Sequence, residues 1–321
     1  MAFKPPAPTK PGLWRRTPPA VFPSIMGLFG LGLAWRRAAG AVSGPDGIGE
    51  AILGAASLLF VFALVAYLSK LARRPGVLIE ELRILPGRAG VGTMVLCLYL
   101  LALALAPYAG PIAFGITMAG FVAHALLVTI LIYVFATGPA EQRRVTPVWH
   151  LNFVGFIIGA LALTQLGSPL GALAVFGVTT LIAVWIWAVG LEQVLRETVP
   201  PPLRPIQAIH LAPAALLGLV AMALGLETVA TCLAALAAVI LVWLLVRVLW
   251  LTAAGFSALW GAFTFPAAAT ASLWLTLGGI WHWPGIAALG LATFIVPPIA
   301  FRVLRLWAGG QLAVKTNAAT A

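Results

Sequence analysis

Four histidines, eight carboxylates and two cysteines are nearly everything this 321-residue chain offers for acid–base, metal or nucleophilic chemistry. His124 stands in the middle of an apolar run. A histidine so placed is either a neutral ring hydrogen-bonded to a neighbouring helix or a group that carries a proton or touches a substrate. His150, His210, His282, Glu192, Glu227, Arg247 and Arg302 fall near the ends of apolar runs, where charged heads reach for the interface. Glu80 and Glu81 sit close to Arg83 and Arg88, the pattern of a solvated salt-bridge cluster. Cys97 and Cys232 lie inside apolar segments with no CxxC or Cys/His spacing, so they read as small packing residues. There is no HExxH pair, GxSxG elbow, P-loop or paired-aspartate magnesium motif. An enzyme, a metal site and a cofactor are therefore not expected.

The elements that position these few groups follow from composition. Hydrophobic residues make up 62% of the chain and charged ones 8%, with a mean hydropathy of +1.06. So few charges cannot cover a soluble fold of this size, and lipid must be the main solvent. The net charge of +11 is dispersed between apolar runs rather than gathered on one face, which argues against nucleic acid. A crossing needs about 20 apolar residues. Charges, prolines and glycines cut the sequence into ten such runs: Val21 to Ala39, Glu50 to Leu71, Ala89 to Ala106, Pro111 to Thr137, Pro147 to Leu166, Gly171 to Leu191, Ile206 to Gly225, Glu227 to Leu249, Ser257 to Ile280 and Pro284 to Leu306. Nothing alternates as barrel strands do. The expectation is an all-α polytopic membrane protein with a leader at 1–20, a ten-helix domain at 21–308 and a tail at 309–321.

Loops after the even spans, together with both termini, hold 17 of the 19 basic residues, and the other loops hold only Arg36 and Arg37. The positive-inside rule then puts both termini in the cytoplasm of a multi-pass cell (inner) membrane protein. Connections such as 107–110, 167–170 and 281–283 are so short that consecutive spans must form antiparallel hairpins. Prolines near the start of the odd spans recur at Pro23, Pro86, Pro147, Pro213 and Pro266, in steps of 63, 61, 66 and 53 residues. That is a helical hairpin repeated five times.

No Asp or Glu sits mid-span, which weakens coupling of transport through a buried carboxylate. Glycine is concentrated on the odd spans, as at Gly27, Gly30 and Gly32. It serves either close helix packing or a passage lined by backbone and small side chains. Such a passage lacks the oxygen ligands a cation needs, whereas freed amides and helix N-termini suit an anion.

Several stretches carry a resemblance. Phe22-Pro23-Ser24-Ile25-Met26-Gly27 running on to Gly32-Leu33-Ala34-Trp35-Arg36, Thr146-Pro147 with Asn152 and Phe153, His210-Leu211-Ala212-Pro213-Ala214, and the run from Phe256 to Pro266 are similar to the tellurite-resistance and C4-dicarboxylate transporter family. That family includes the slow-type anion channels of plant guard cells. The resemblance implies odd helices in an inner pore ring, even helices in an outer ring, and a homotrimer with one pore per subunit. It also implies a phenylalanine gate in the ninth helix, which falls on Phe265 of Phe263-Thr264-Phe265-Pro266. Span five departs from the family: Leu151-Asn152-Phe153-Val154-Gly155-Phe156 lacks the Leu-Pro step and the second asparagine. The expected function is a passive channel for small anions such as chloride or nitrate, gated by Phe265. Phe22, Gly27, Phe153, Phe156, Pro213, Phe263 and Pro266 are the expected pore-lining residues. The alternative is a proton-coupled or facilitative carrier of dicarboxylate, sulfite or tellurite, in which His124 takes the proton or substrate. The partners implied are small inorganic anions or organic acids and the lipid bilayer.

Overall fold

Proline, glycine and charge punctuate a chain that is otherwise uniformly apolar, and the helices begin and end on them. The computed structural model describes residues 12–42 and 47–321; Lys4 and Lys10 of the expected leader lie outside them. No strand occurs among the described residues. The α-helices are α1 (Phe22–Val42), α2 (Gly47–Arg73), the short α3 (Val77–Arg83), α4 (Leu85–Leu105), α5 (Gly110–Thr137), α6 (Phe156–Gln165), α7 (Pro169–Arg196), α8 (Leu211–Ala223), α9 (Glu227–Val246), the single turn α10 (Val248–Leu251), α11 (Thr264–Leu277), α12 (His282–Ala308) and α13 (Gln311–Lys315). Eight helical stretches among the described residues are long and apolar enough to cross a membrane. The first and fifth expected spans correspond to α1, whose last turns carry Arg36 and Arg37, and to the shorter stretch His150–Gln165. Two hairpin turns pivot on glycine in the left-handed region, Gly167 at φ 77° and Gly225 at φ 75°, where a Cβ would be strained.

The packing is a ring inside a ring. Helix α1 packs on α4, α4 on α6, α6 on α8, α8 on α11, and α11 back on α1, so five elements close a circle. Each packs against the outer helix that follows it, in the pairs α1 with α2, α4 with α5, α6 with α7, α8 with α9 and α11 with α12, and α12 also packs against α1. Burial separates the two sets. In their most apolar stretches α4, α8 with its lead-in, and α11 with its lead-in are 72–83% buried, against 22–39% for α2, α5, α7, α9 and α12. The outer helices present Leu58, Phe62, Leu126, Leu181, Val239 and Phe294 outward, side chains that only lipid or another apolar surface can cover at no cost.

A buried ion pair ties the first hairpin to its connection. The Lys70 ammonium donates to Glu81 Oε1 at 2.5 Å and to the Thr17 carbonyl at 2.9 Å, and the Tyr67 hydroxyl donates to the other Glu81 oxygen. Both charged side chains are wholly inaccessible. The expectation of a solvated cluster at Glu80 and Glu81 is thus corrected: Glu80 does pair with Arg74 at the surface, but Glu81 turns inward. Burial pushes the Glu81 carboxyl above the ordinary carboxylate range, with Lys70 and Tyr67 pulling it back. The 309–321 segment is also anchored, because α13 buries Leu312 and the Ala321 amide donates to the Arg15 carbonyl at 3.1 Å.

Removing one member of a buried pair leaves the other charge unpaired at a cost of about 3–5 kcal/mol, whereas replacing both by apolar residues can be neutral. Glu81→Ala should therefore lower the melting temperature of detergent-solubilised protein sharply, and Lys70→Met combined with Glu81→Leu should recover most of the loss. Equal melting of Glu81→Ala and the parent would show that the pair contributes nothing.

Candidate functional site

Four of the five elements of the inner ring are entered through a 3-10 or π turn, and the fifth, α4, begins with a proline in an otherwise regular first turn. A 3-10 turn, Pro19–Val21, leads into α1 with Pro23 just inside it. Helix α4 starts with Pro86 in its first turn. A wide π turn, His150–Val154, precedes α6, a 3-10 segment, Pro201–His210, precedes α8, and another, Ala258–Phe263, precedes α11. Backbone of this kind is tolerated at membrane depth only where protein encloses it or water reaches it.

These starts enclose a cavity of about 40 Å³ lined by Pro23, Met26, Pro86, Ala89, Thr93, Leu151, Ile209, Ala262, Phe265 and Pro266 among others. Further along the same helices lies a second cavity of about 30 Å³, lined by Gly30, Leu33, Arg37, Leu100, Leu103, Leu161, Gln165, Leu216, Phe265, Ala269 and Ser272 among others. A water needs about 10–15 Å³ of such space, so each cavity has room for two or three. All five inner elements contribute to each cavity. Phe265 is the one residue shared by the two linings. Its ring is 5% exposed and lies against Gly30, where an added Cβ would come within 2.8 Å of the ring. A third, lateral cavity of about 20 Å³ runs along Met26, Leu151, Ile209, Ala212 and Pro213.

Of the residues expected to line a pore, Pro266 lines the first cavity with Phe265 and Pro213 the lateral one. The others face elsewhere. Phe22 is fully buried and packs edge-on against Phe60 and Tyr67 of α2. Gly27 is filled by Thr264 of α11, with a Cβ position 2.2 Å from the hydroxyl. Phe153 leans on Trp149, Phe156 stacks on His124, and Phe263 packs edge-on against Trp260.

His124 touches none of these three cavities. It is wholly buried, stacked at 3.7 Å on Phe156, with Nε2 2.9 Å from the Asn152 carbonyl and Nδ1 3.4 Å from the Tyr99 hydroxyl. A carbonyl only accepts, so Nε2 bears the proton and Nδ1 accepts from Tyr99. The outer helix α5 thereby satisfies a carbonyl in the π turn of the inner ring. A second, partly buried pair joins neighbouring inner elements, with His150 Nε2 3.0 Å from His210 Nδ1.

Sequence reasoning missed Arg37, Gln165 and Ser272, the polar side chains of the second cavity. Their signal was weak: Arg37 was one of two charges on the sparsely charged side, and Gln165 and Ser272 have no distinguishing spacing. Among the described residues no cluster of three or more His, Cys, Asp or Glu is placed to hold a metal.

A family model described as voltage-dependent anion channel matches residues 16–304, a span that takes in the inner and outer helices except the last turn of α12. No curated protein matches the chain.

The His124 contacts predict a structural phenotype. Replacement by Phe keeps the stack but orphans the Asn152 carbonyl, a loss of about 1–2 kcal/mol in a membrane interior. The variant should melt earlier in detergent yet keep the anion flux of the parent and its pH dependence. A stable His124→Phe protein whose flux has lost its pH response would restore a proton-carrying role.

Proposed function

This chain belongs to the voltage-dependent anion channel family, and from that premise we propose that it is a passive channel for small anions of the chloride or nitrate kind, closed by Phe265. The ten elements of the two rings all cross the bilayer in this reading, with both termini cytoplasmic. The cavity at the proline-broken helix starts then opens towards the cytoplasm, and the one containing Arg37 towards the outside. The observation that carries the proposal is the position of Phe265 between two cavities that are each walled by all five inner elements.

An aromatic ring in a narrow apolar constriction stops ions by sterics and by dewetting, since the ion would have to shed water with nothing to replace it. Opening needs only a rotamer change or a small shift of α11 against α1. The walls favour anions by default. The described lining of the two main cavities contains one charged side chain, Arg37, and no carboxylate, so a cation finds neither a counter-charge nor a ring of oxygens. The same inventory supports passive flow, because Arg37 is the one acid or base among the described residues lining the two cavities that meet at Phe265, and His150 lines only the lateral one. The ring closes within one chain, so a homotrimer in this reading carries three separate paths.

Phe265→Ala should raise chloride and nitrate flux through proteoliposomes by roughly tenfold or more, with Gly30→Ala moving flux the other way by pressing on the ring. Unchanged flux in well-folded Phe265→Ala protein removes the gate. Uphill uptake of a dicarboxylate, sulfite or tellurite driven by a proton gradient would replace the channel by a coupled carrier.

A further inference from the structure

Arg36 and Arg37 are adjacent in sequence and opposite in circumstance. The Arg36 guanidinium spends four of its five N–H donors. Its Nε and one terminal nitrogen grip both Glu50 oxygens at 2.5 and 2.7 Å, and its terminal nitrogens also donate to the carbonyls of Leu103 and Ala104 at 3.1 and 3.0 Å. Its charge is cancelled where it stands. Arg37 makes a single hydrogen bond, from one terminal nitrogen to the Thr276 hydroxyl at 3.1 Å, and no carboxylate among the described residues forms a salt bridge with it. A guanidinium has five N–H donors, so most of this one's capacity is unspent. It lines the second cavity together with Gln165, Ser272 and Phe265.

We propose that Arg37, Gln165 and Ser272 form a binding site for a small oxyanion of the nitrate type, one step from Phe265 on the side of the ring away from the proline-broken helix starts. The proposal deepens the channel reading and names the resting point of the permeating ion in that reading. The remaining charge supplies attraction that the apolar remainder of the cavity does not dissipate. The planar fork of Arg presents parallel donors that match two oxygens of an oxyanion, a geometry a spherical halide cannot use as fully. Gln165 and Ser272 add neutral donors from α6 and α11, so three different inner helices converge on one ligand. A single charge with two neutral helpers holds an ion loosely enough to let it leave, as conduction requires.

Binding can be tested apart from transport. The melting temperature of detergent-solubilised wild-type protein is measured in sodium nitrate against sodium gluconate at equal ionic strength, since a ligand that binds only the folded state stabilises it. Wild type should show a nitrate-specific rise, larger than that with chloride. Arg37→Gln should abolish it, Gln165→Leu should weaken it, and Arg37→Lys should keep a rise that no longer favours nitrate over chloride. No nitrate-specific rise in wild type, or the same rise in folded Arg37→Gln, overturns the site. Flux through proteoliposomes in the Phe265→Ala background then separates the two readings. Several-fold higher half-saturating nitrate on adding Arg37→Gln supports the site within a channel. Absent flux combined with Arg37-dependent stabilisation sinks the channel and leaves the site standing.

Discussion

In a bilayer every backbone amide and carbonyl must find its partner inside the protein, and that constraint shapes the whole molecule. A ring in which four of five elements begin in 3-10 or π turns frees backbone groups that lipid could not solvate. The long outer helices shield that ring. Helix α5 does more than shield, because its His124 donates to the Asn152 carbonyl in the π turn and takes the Tyr99 hydroxyl in exchange. A residue that looks chemical by type is thus spent on making an irregular inner helix tolerable. The His150 to His210 contact similarly ties two neighbouring lead-ins together.

Close approach is the second requirement. Five helices enclose only narrow cavities if their axes come near one another, and glycine permits it where a backbone or ring occupies the space of a side chain. Gly90 faces the backbone of Pro19, with a Cβ position 2.3 Å from it, while Gly27 and Gly30 receive Thr264 and Phe265. The same stripe on α1 therefore seats α11 and sets the position of the Phe265 ring. In the proposed reading packing and closure share one surface, and a slide of α11 along α1 that moves the ring also strains the Arg37 to Thr276 hydrogen bond.

Five carboxylates of the described residues each cancel a basic side chain. Lys70 with Glu81, Arg36 with Glu50 and Arg144 with Glu197 are all paired, and Arg88 is buried over the Phe135 ring while donating to the Leu82 carbonyl. Arg37 lines a cavity of the ring with no carboxylate partner among the described residues, and in the proposed reading it gives the otherwise apolar path its sign.

Composition and spacing by themselves determined the solvent, the helical class, the order of hairpins and the absence of enzyme templates, because apolar run length and the placement of charge are one-dimensional quantities. They also led to Phe265, through a resemblance rather than through periodicity. What only the tertiary structure decided is which way each side chain faces. Phe22 turning to α2, Phe156 to His124, Gly27 to Thr264, and Arg37 into the second cavity were all illegible. A soluble helix declares its buried face by alternating polar and apolar sides, but a membrane helix is apolar all round, so its rotation about its own axis is set by shape and close packing with neighbours. Glu81 shows the same limit for charge: sequence showed carboxylates amid bases, and only the folded connection determined that one of them is buried with Lys70.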